Sequence, residues 1–193
     1  MAKDDNKQKL IKATDALLKD RSITSITTKE ITKIAGVSVG VFYNYFSSKE
    51  DVFKELIKTF FNYSLKQMEV LRKEVTGKNI RSEIKFKEFL INGIDNNWEN
   101  HFLNSDILLL SRKDEEFQKL MIYFNQKMVS IVVEILTVIN PELKENLPLL
   151  EAKMIVNLIQ NSYPSFLKFD SEVEKEKYIE KFVNIIFSIS FND

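Results

Sequence analysis

The sequence predicts an all-α protein of nine helices, divided between a small N-terminal head (residues 1–50) and a larger helical body (residues 51–193). Three observations lead there. Only four Gly and three Pro occur in 193 residues, so few breakers interrupt the chain. Apolar residues recur at helical spacing along nearly its whole length. Residues 27–49, TTKEITKIAGVSVGVFYNYFSSK, pack two short helices and the start of a third around one tight turn.

Residues 4–20 form the first helix, with Leu10, Ala13, Leu17 and Leu18 as its apolar stripe. Lys3, Lys7, Lys9 and Lys12 lie largely outside that stripe, either as a solvated face or as a basic arm toward a polyanion. Residues 21–26 are a loop. Thr27 caps the second helix, and Glu30 completes a capping box. Ile31, Ile34 and Ala35 are expected to form that helix's buried face. Gly36 supplies the left-handed residue at its end, Val37 plugs the corner, and Ser38 caps the third helix. Phe42 and Phe46, four apart, turn inward. Val39, Gly40, Val41, Tyr43, Asn44 and Tyr45 then point largely outward.

That outward set carries no charge, which is unusual for a solvated helix face. Hydroxyls and amides suit phosphate oxygens and base edges, and small residues admit close backbone approach. Lys49 in the first turn of the next helix opposes the helix dipole, an arrangement that a phosphate would reverse. The pattern is a helix-turn-helix with residues 38–45 as recognition helix. In this reading Thr27, Thr28, Tyr43, Tyr45 and Lys49 hold phosphates. Ser38, Val39, Gly40, Val41 and Asn44 meet base edges, the valines through thymine methyls.

The stretch IAGVSVGVFYNYFSSKEDVF resembles the signature of the tetracycline-repressor-type (TetR) family of transcriptional regulators. Ala35-Gly36-Val37-Ser38, Gly40, Tyr43, Phe46 and Lys49-Glu50 fall in register with it. The resemblance covers about residues 8–55. Ser22 stands where the pattern usually has Gly, Thr32 where it has Ala, Val41 where Thr or Ser is frequent, and Val52 where Leu is. It implies a DNA-binding head on a helical effector-binding and dimerisation body, acting as a homodimer without a cofactor.

Ser48 caps a helix of about seven turns that runs to Gly77 and carries Val52, Phe53, Leu56, Phe60, Tyr63, Met68 and Leu71. It is long enough to serve the head with one half and the body with the other. Further helices fall at 80–99 (Ile84, Phe86, Phe89, Leu90, Ile94, Trp98), 101–111, and 115–139 behind a capping Asp114, where Pro141 ends the run. The last two cover 148–168 and 172–191. The tail FSISF alternates like a strand, but nothing in the chain offers it a partner strand, so it reads as helix.

Overall charge is zero. Residues 1–50 nevertheless carry nine Lys/Arg against six Asp/Glu, and the remainder 19 against 22, so the head is the basic part. No Cys and one His, His101, leave no disulfide and no metal site. No nucleophile–base set or phosphate loop is present, which argues against an enzyme. The charged start and the lack of an 18-residue apolar run predict a cytoplasmic protein.

The body is rich in rings, several near amides, the composition of a small-molecule pocket. The effector-binding candidates are Phe60, Tyr63, Gln67, Met68, Phe89, Trp98, Phe124, Asn157 and Asn161. The expected effector is small and mostly apolar or aromatic. Residues 178–191 are apolar nearly all round a helix, and 148–168 is similarly loaded, so these helices are expected to pair with their copies in a homodimer. The rival reading is a helical dimer whose helix-turn-helix is a protein-interaction module without sequence-specific DNA binding.

Overall fold

The computed structural model describes residues 2–95, 102–144, 148–162 and 169–189. Among these the chain forms nine α-helices and no strand. They are α1 (Ala2–Leu18), α2 (Thr28–Ala35), α3 (Val39–Tyr43), α4 (Lys49–Glu74), α5 (Ile80–Asp95), α6 (Leu103–Ser111), α7 (Glu115–Ile139), α8 (Leu149–Ser162) and α9 (Glu172–Ile189). Two 3-10 turns, Ile23–Ser25 and Pro141–Lys144, accompany them. The all-α fold is as expected. The alternating tail is helical through Phe187, Ser188 and Ile189, the last residues of α9, while Ser190 and Phe191 lie outside the described residues.

The described chain falls into two compact units. One comprises Met1–Asn62 with Trp98–Met121, the other Tyr63–Asn97 with Ile122–Asp193. The core of the first is built from Leu10, Ala13 and Leu18 of α1, Ile31 of α2, Phe42 of α3 and the first turns of α4. It reaches well past residue 50: Val52, Phe53, Leu56, Ile57, Leu110 and Phe117 all belong to it. The rings of Phe53 and Phe117 lie 6.5 Å apart, and Lys54 Nζ bonds Asp114 at 2.9 Å. Asp114 also caps α7, accepting the Phe117 N–H at 2.8 Å. That backbone bond, then Lys54, holds its carboxyl below the usual range.

The second unit packs α5 on α9, with the Phe86 and Phe187 rings edge to face at 5.4 Å. Met68, Leu71, Leu90, Phe124, Ile135, Ile155 and Ile186 are buried there. Helix α7 is long and apolar enough to cross a membrane by length and composition. Its Phe117, Phe124, Ile131, Ile135 and Leu136 are nevertheless buried against protein, as in a core helix.

Several local expectations shift. Helix α1 ends at Leu18, before the loop. Ile34, expected on the buried face, is 53% exposed, and Thr32 is buried instead. At about 100° per residue, Ile31, Ala35 and Thr32 span one arc, and Ile34 falls about 60° to its other side. The Thr32 hydroxyl is satisfied locally by Lys29 O at 3.1 Å. Ile84 is also exposed, on the side of α5 opposite buried Phe86.

Candidate nucleic-acid interface

The turn closes as its residues require. Thr27 Oγ1 accepts the Glu30 N–H, and Glu30 Oε2 accepts the Thr27 N–H at 2.8 Å, a complete capping box. Gly36 sits at φ 67°, and α2 ends in a Schellman motif, with Val37 N–H to Thr32 O at 3.1 Å and Gly36 N–H to Lys33 O at 3.4 Å. Ser38 Oγ then accepts the Val41 N–H at 3.2 Å, starting α3. The recognition helix is shorter than the 38–45 expected: α3 is Val39–Tyr43, with Asn44 as its C-cap. Phe42 and Phe46 are buried with ring centroids 5.8 Å apart, fixing which side of α3 faces out.

The outward face is largely the one anticipated. Val39, Gly40, Tyr43 and Asn44 are exposed, and Tyr43, at 58%, rests its ring edge-on against Phe42 at 5.4 Å. Val41 is half-buried, and Tyr45 packs partly against the core, so these two offer less of themselves outward. Thr27 is exposed and Thr28 half-buried. The Thr27 hydroxyl donates to Glu30 Oε2 at 2.7 Å. Lys49 is already engaged: its ammonium donates to Thr24 O at 2.9 Å and Ile26 O at 2.7 Å. Those two carbonyls compensate the cation at the positive end of α4, the role a phosphate was expected to fill. An ammonium has three donors, which leaves one N–H of Lys49 beyond these two bonds.

Of the α1 lysines, Lys7 pairs with Glu55 at 2.9 Å and lies over the Phe46 ring, and Lys9 pairs with Asp5 at 2.6 Å. Both therefore act within the head. Lys12, Lys29 and Lys33 are exposed.

Sequence reading missed how the loop before α2 is held. Arg21 donates to Glu30 Oε1 at 2.7 Å and to Ser25 O. Together Arg21 and then Thr27 pull the Glu30 carboxyl down to about 2. From α6, buried Asp106 accepts Ser22 Oγ–H at 2.6 Å and Ile23 N–H at 2.9 Å. The only sequence signal for it is one acid inside an apolar run, LNSDILLL.

The described effector candidates are divided between the two units. Phe60 belongs to the first unit, where its ring meets Phe61 at 5.6 Å. Tyr63, Gln67, Met68, Phe89, Phe124 and Asn157 belong to the second. Met68 and Phe124 are buried, Gln67 and Phe89 half-buried, and Tyr63 and Asn157 exposed. Trp98 and the side chain of Asn161 lie outside the described residues, as does His101. No group of three or more His, Cys, Asp and Glu that could hold a metal occurs among the described residues.

A three-helix head with a capped turn and an uncharged outward recognition helix is the helix-turn-helix class of DNA-binding domain. A family model for bacterial regulatory proteins of the tetR family matches residues 10–56. A search of curated proteins returned no match. Solved structures share the whole fold at low identity. A TetR-family transcriptional regulator from Bordetella parapertussis is 18% identical, with TM-score 0.69 over 93% of each chain. GusR from Salmonella enterica is 15% identical, with TM-score 0.66 over 96% of this chain and 93% of its own. FadR, a fatty acid degradation regulator from Bacillus halodurans, is 16% identical, with TM-score 0.64 over 96% and 94%. Residues 10–56 thus match the tetR-family model, and the whole chain shares its fold with solved regulators such as these.

Proposed function

We propose that the protein is a cytoplasmic, ligand-responsive repressor that binds a palindromic operator as a homodimer and is released by a small, mostly apolar effector. The observation that carries the DNA-reading part is the exposed, uncharged face Val39-Gly40-Tyr43-Asn44, held outward by buried Phe42 and Phe46. In this reading Tyr43, Thr27, Thr28, Tyr45 and the remaining N–H of Lys49 hold phosphates. Ser38, Val39, Gly40, Val41 and Asn44 approach bases.

Support for the dimer comes from α8 and α9. Leu150 is 68% exposed, and Met154, Leu158 and, on α9, Ile185 are exposed with it. Leu150, Met154 and Leu158 recur every four residues, so they share an apolar face that is solvent-exposed in the single chain. A partner copy is the occupant that fits the family fold. Support for an apolar effector is composition alone: the interior of the second unit presents rings and aliphatic chains, including Met68 and Phe124. A ligand preferring the non-DNA state by ~1–3 kcal/mol would weaken operator affinity about 5- to 150-fold.

The test is a binding titration against duplex DNA at stepped salt. Affinity should fall steeply with salt, with two chains bound per site. Asn44→Ala should relax preference at one base position, and Tyr43→Phe should weaken binding to all sequences. Salt-independent binding, or none, would favour the protein-interaction module instead.

A further inference from the structure

The loop at residues 21–26 is gripped from three directions. Lys49 of α4 takes the carbonyls of Thr24 and Ile26. Arg21, itself paired with Glu30 of α2, takes the carbonyl of Ser25. Asp106 of α6 takes the hydroxyl of Ser22 and the amide of Ile23. The first two grips are local to the helix-turn-helix. The third comes from 83 residues away along the chain.

Asp106 is 3% exposed, and no lysine or arginine pairs with it among the described residues. An uncompensated buried carboxylate is costly, so its two hydrogen bonds and its place in the first turn of α6, at the positive end of the helix, must offset much of that cost. Ile23 is buried too, and without Asp106 its amide would lose its partner. An apolar residue at 106 could fill the space, but it could not fix the loop.

We propose that Asp106 is a positioning residue for DNA binding: it sets the Ser22–Ile26 segment, and through it the first turn of α2 and the anchor of Lys49. The consequence is that the DNA-binding head is a composite of residues from two distant stretches of chain. Helix α6 contributes to it directly, although it lies far beyond the helix-turn-helix in sequence. This rests on the DNA-binding reading above.

The experiment compares wild type, Asp106→Ala and Asp106→Asn, each as the full chain. The probe is a duplex recovered by wild type from a random pool. Backbone amide exchange over residues 22–31 is followed in the same samples. Asparagine can still accept the Ile23 N–H and can donate to Ser22 Oγ, so it is the rescuing variant. The expected result is that Asp106→Ala accelerates exchange at residues 22–31 and weakens binding about tenfold, equivalent to ~1.4 kcal/mol. Asp106→Asn should stay close to wild type in both readouts. A purely structural role would lower the thermal midpoint of Asp106→Ala yet leave affinity, measured well below that midpoint, unchanged; that result overturns the proposal. If wild type recovers no duplex at all, the DNA-binding reading fails first and the positioning role falls with it. If wild type recovers one and Asp106→Ala binds it equally well, only the positioning role fails.

Discussion

Gly40→Ala separates what the free protein needs from what DNA needs. A Cβ built on Gly40 would meet one neighbour, Ser38 Oγ at 3.8 Å, which is ordinary van der Waals contact. Gly40 also lies inside α3 without a positive φ. Nothing in the folded chain therefore requires glycine there. Replacing it with alanine should leave the fold intact and add ~0.4–1 kcal/mol of stability by restricting the unfolded chain. At about 2–4 °C per kcal/mol for a chain of this size, the thermal midpoint should rise by about 1–4 °C. Operator binding should move the other way. If the backbone at residue 40 approaches a base edge, the added methyl meets DNA, and overpacking of that kind costs ~1–3 kcal/mol, or about 5- to 150-fold in affinity. The assay is thermal unfolding beside a titration of the selected duplex. A stabilised variant with wild-type affinity would refute the placement of Gly40 at close approach.

Gly36→Ala should act on the fold instead. Nothing lies within 4 Å of its built Cβ, so the cost is the left-handed backbone alone, ~1–2 kcal/mol, readable as a lower denaturant midpoint. Glu30 should titrate near 2 in the folded protein, because Arg21 and Thr27 favour its charged form. Its folded value is depressed, so the stability it contributes is present above about 4.5 and is lost as pH falls toward about 2; Glu30→Gln should flatten that part of the stability profile. Lys49→Ala removes two carbonyl anchors as well as a cation, so it should lower both the thermal midpoint and the affinity for every duplex, whereas a pure phosphate contact would lower affinity alone. Leu150→Asp with Met154→Asp should shift sedimentation toward monomer, and an unchanged mass would count against the α8 face as the dimer contact.

What could be read from sequence was mostly local. The capping box at Thr27 and Glu30, the glycine end at Gly36, the Ser38 cap, the Asp114 cap and the stop at Pro141 each depend on residues within a turn of one another. The inward pair Phe42 and Phe46 was legible for the same reason, since four-residue spacing fixes a face. Ile34 was not, because three apolar residues in an eight-residue helix fit more than one buried arc, and Thr32 can enter the core once its hydroxyl bonds Lys29 O. The extent of the head was hidden too. Phe117 and Leu110 return to its core from far along the chain, and no periodicity announces such a contact. Lys49 stood out in the sequence by its position against the helix dipole, but the groups that compensate it in the fold are carbonyls of a loop some 25 residues earlier.

The most direct test of the account is selection of duplexes from a random pool by the full chain. Two copies of the helix-turn-helix reading successive major grooves should recover a palindrome with half-sites centred about 34–36 Å apart, or a multiple of one helical turn. Enrichment of such a palindrome, lost when Tyr43 and Asn44 are both replaced by alanine, is the predicted result. Recovery of no common sequence, or of a sequence without two-fold symmetry, would contradict it.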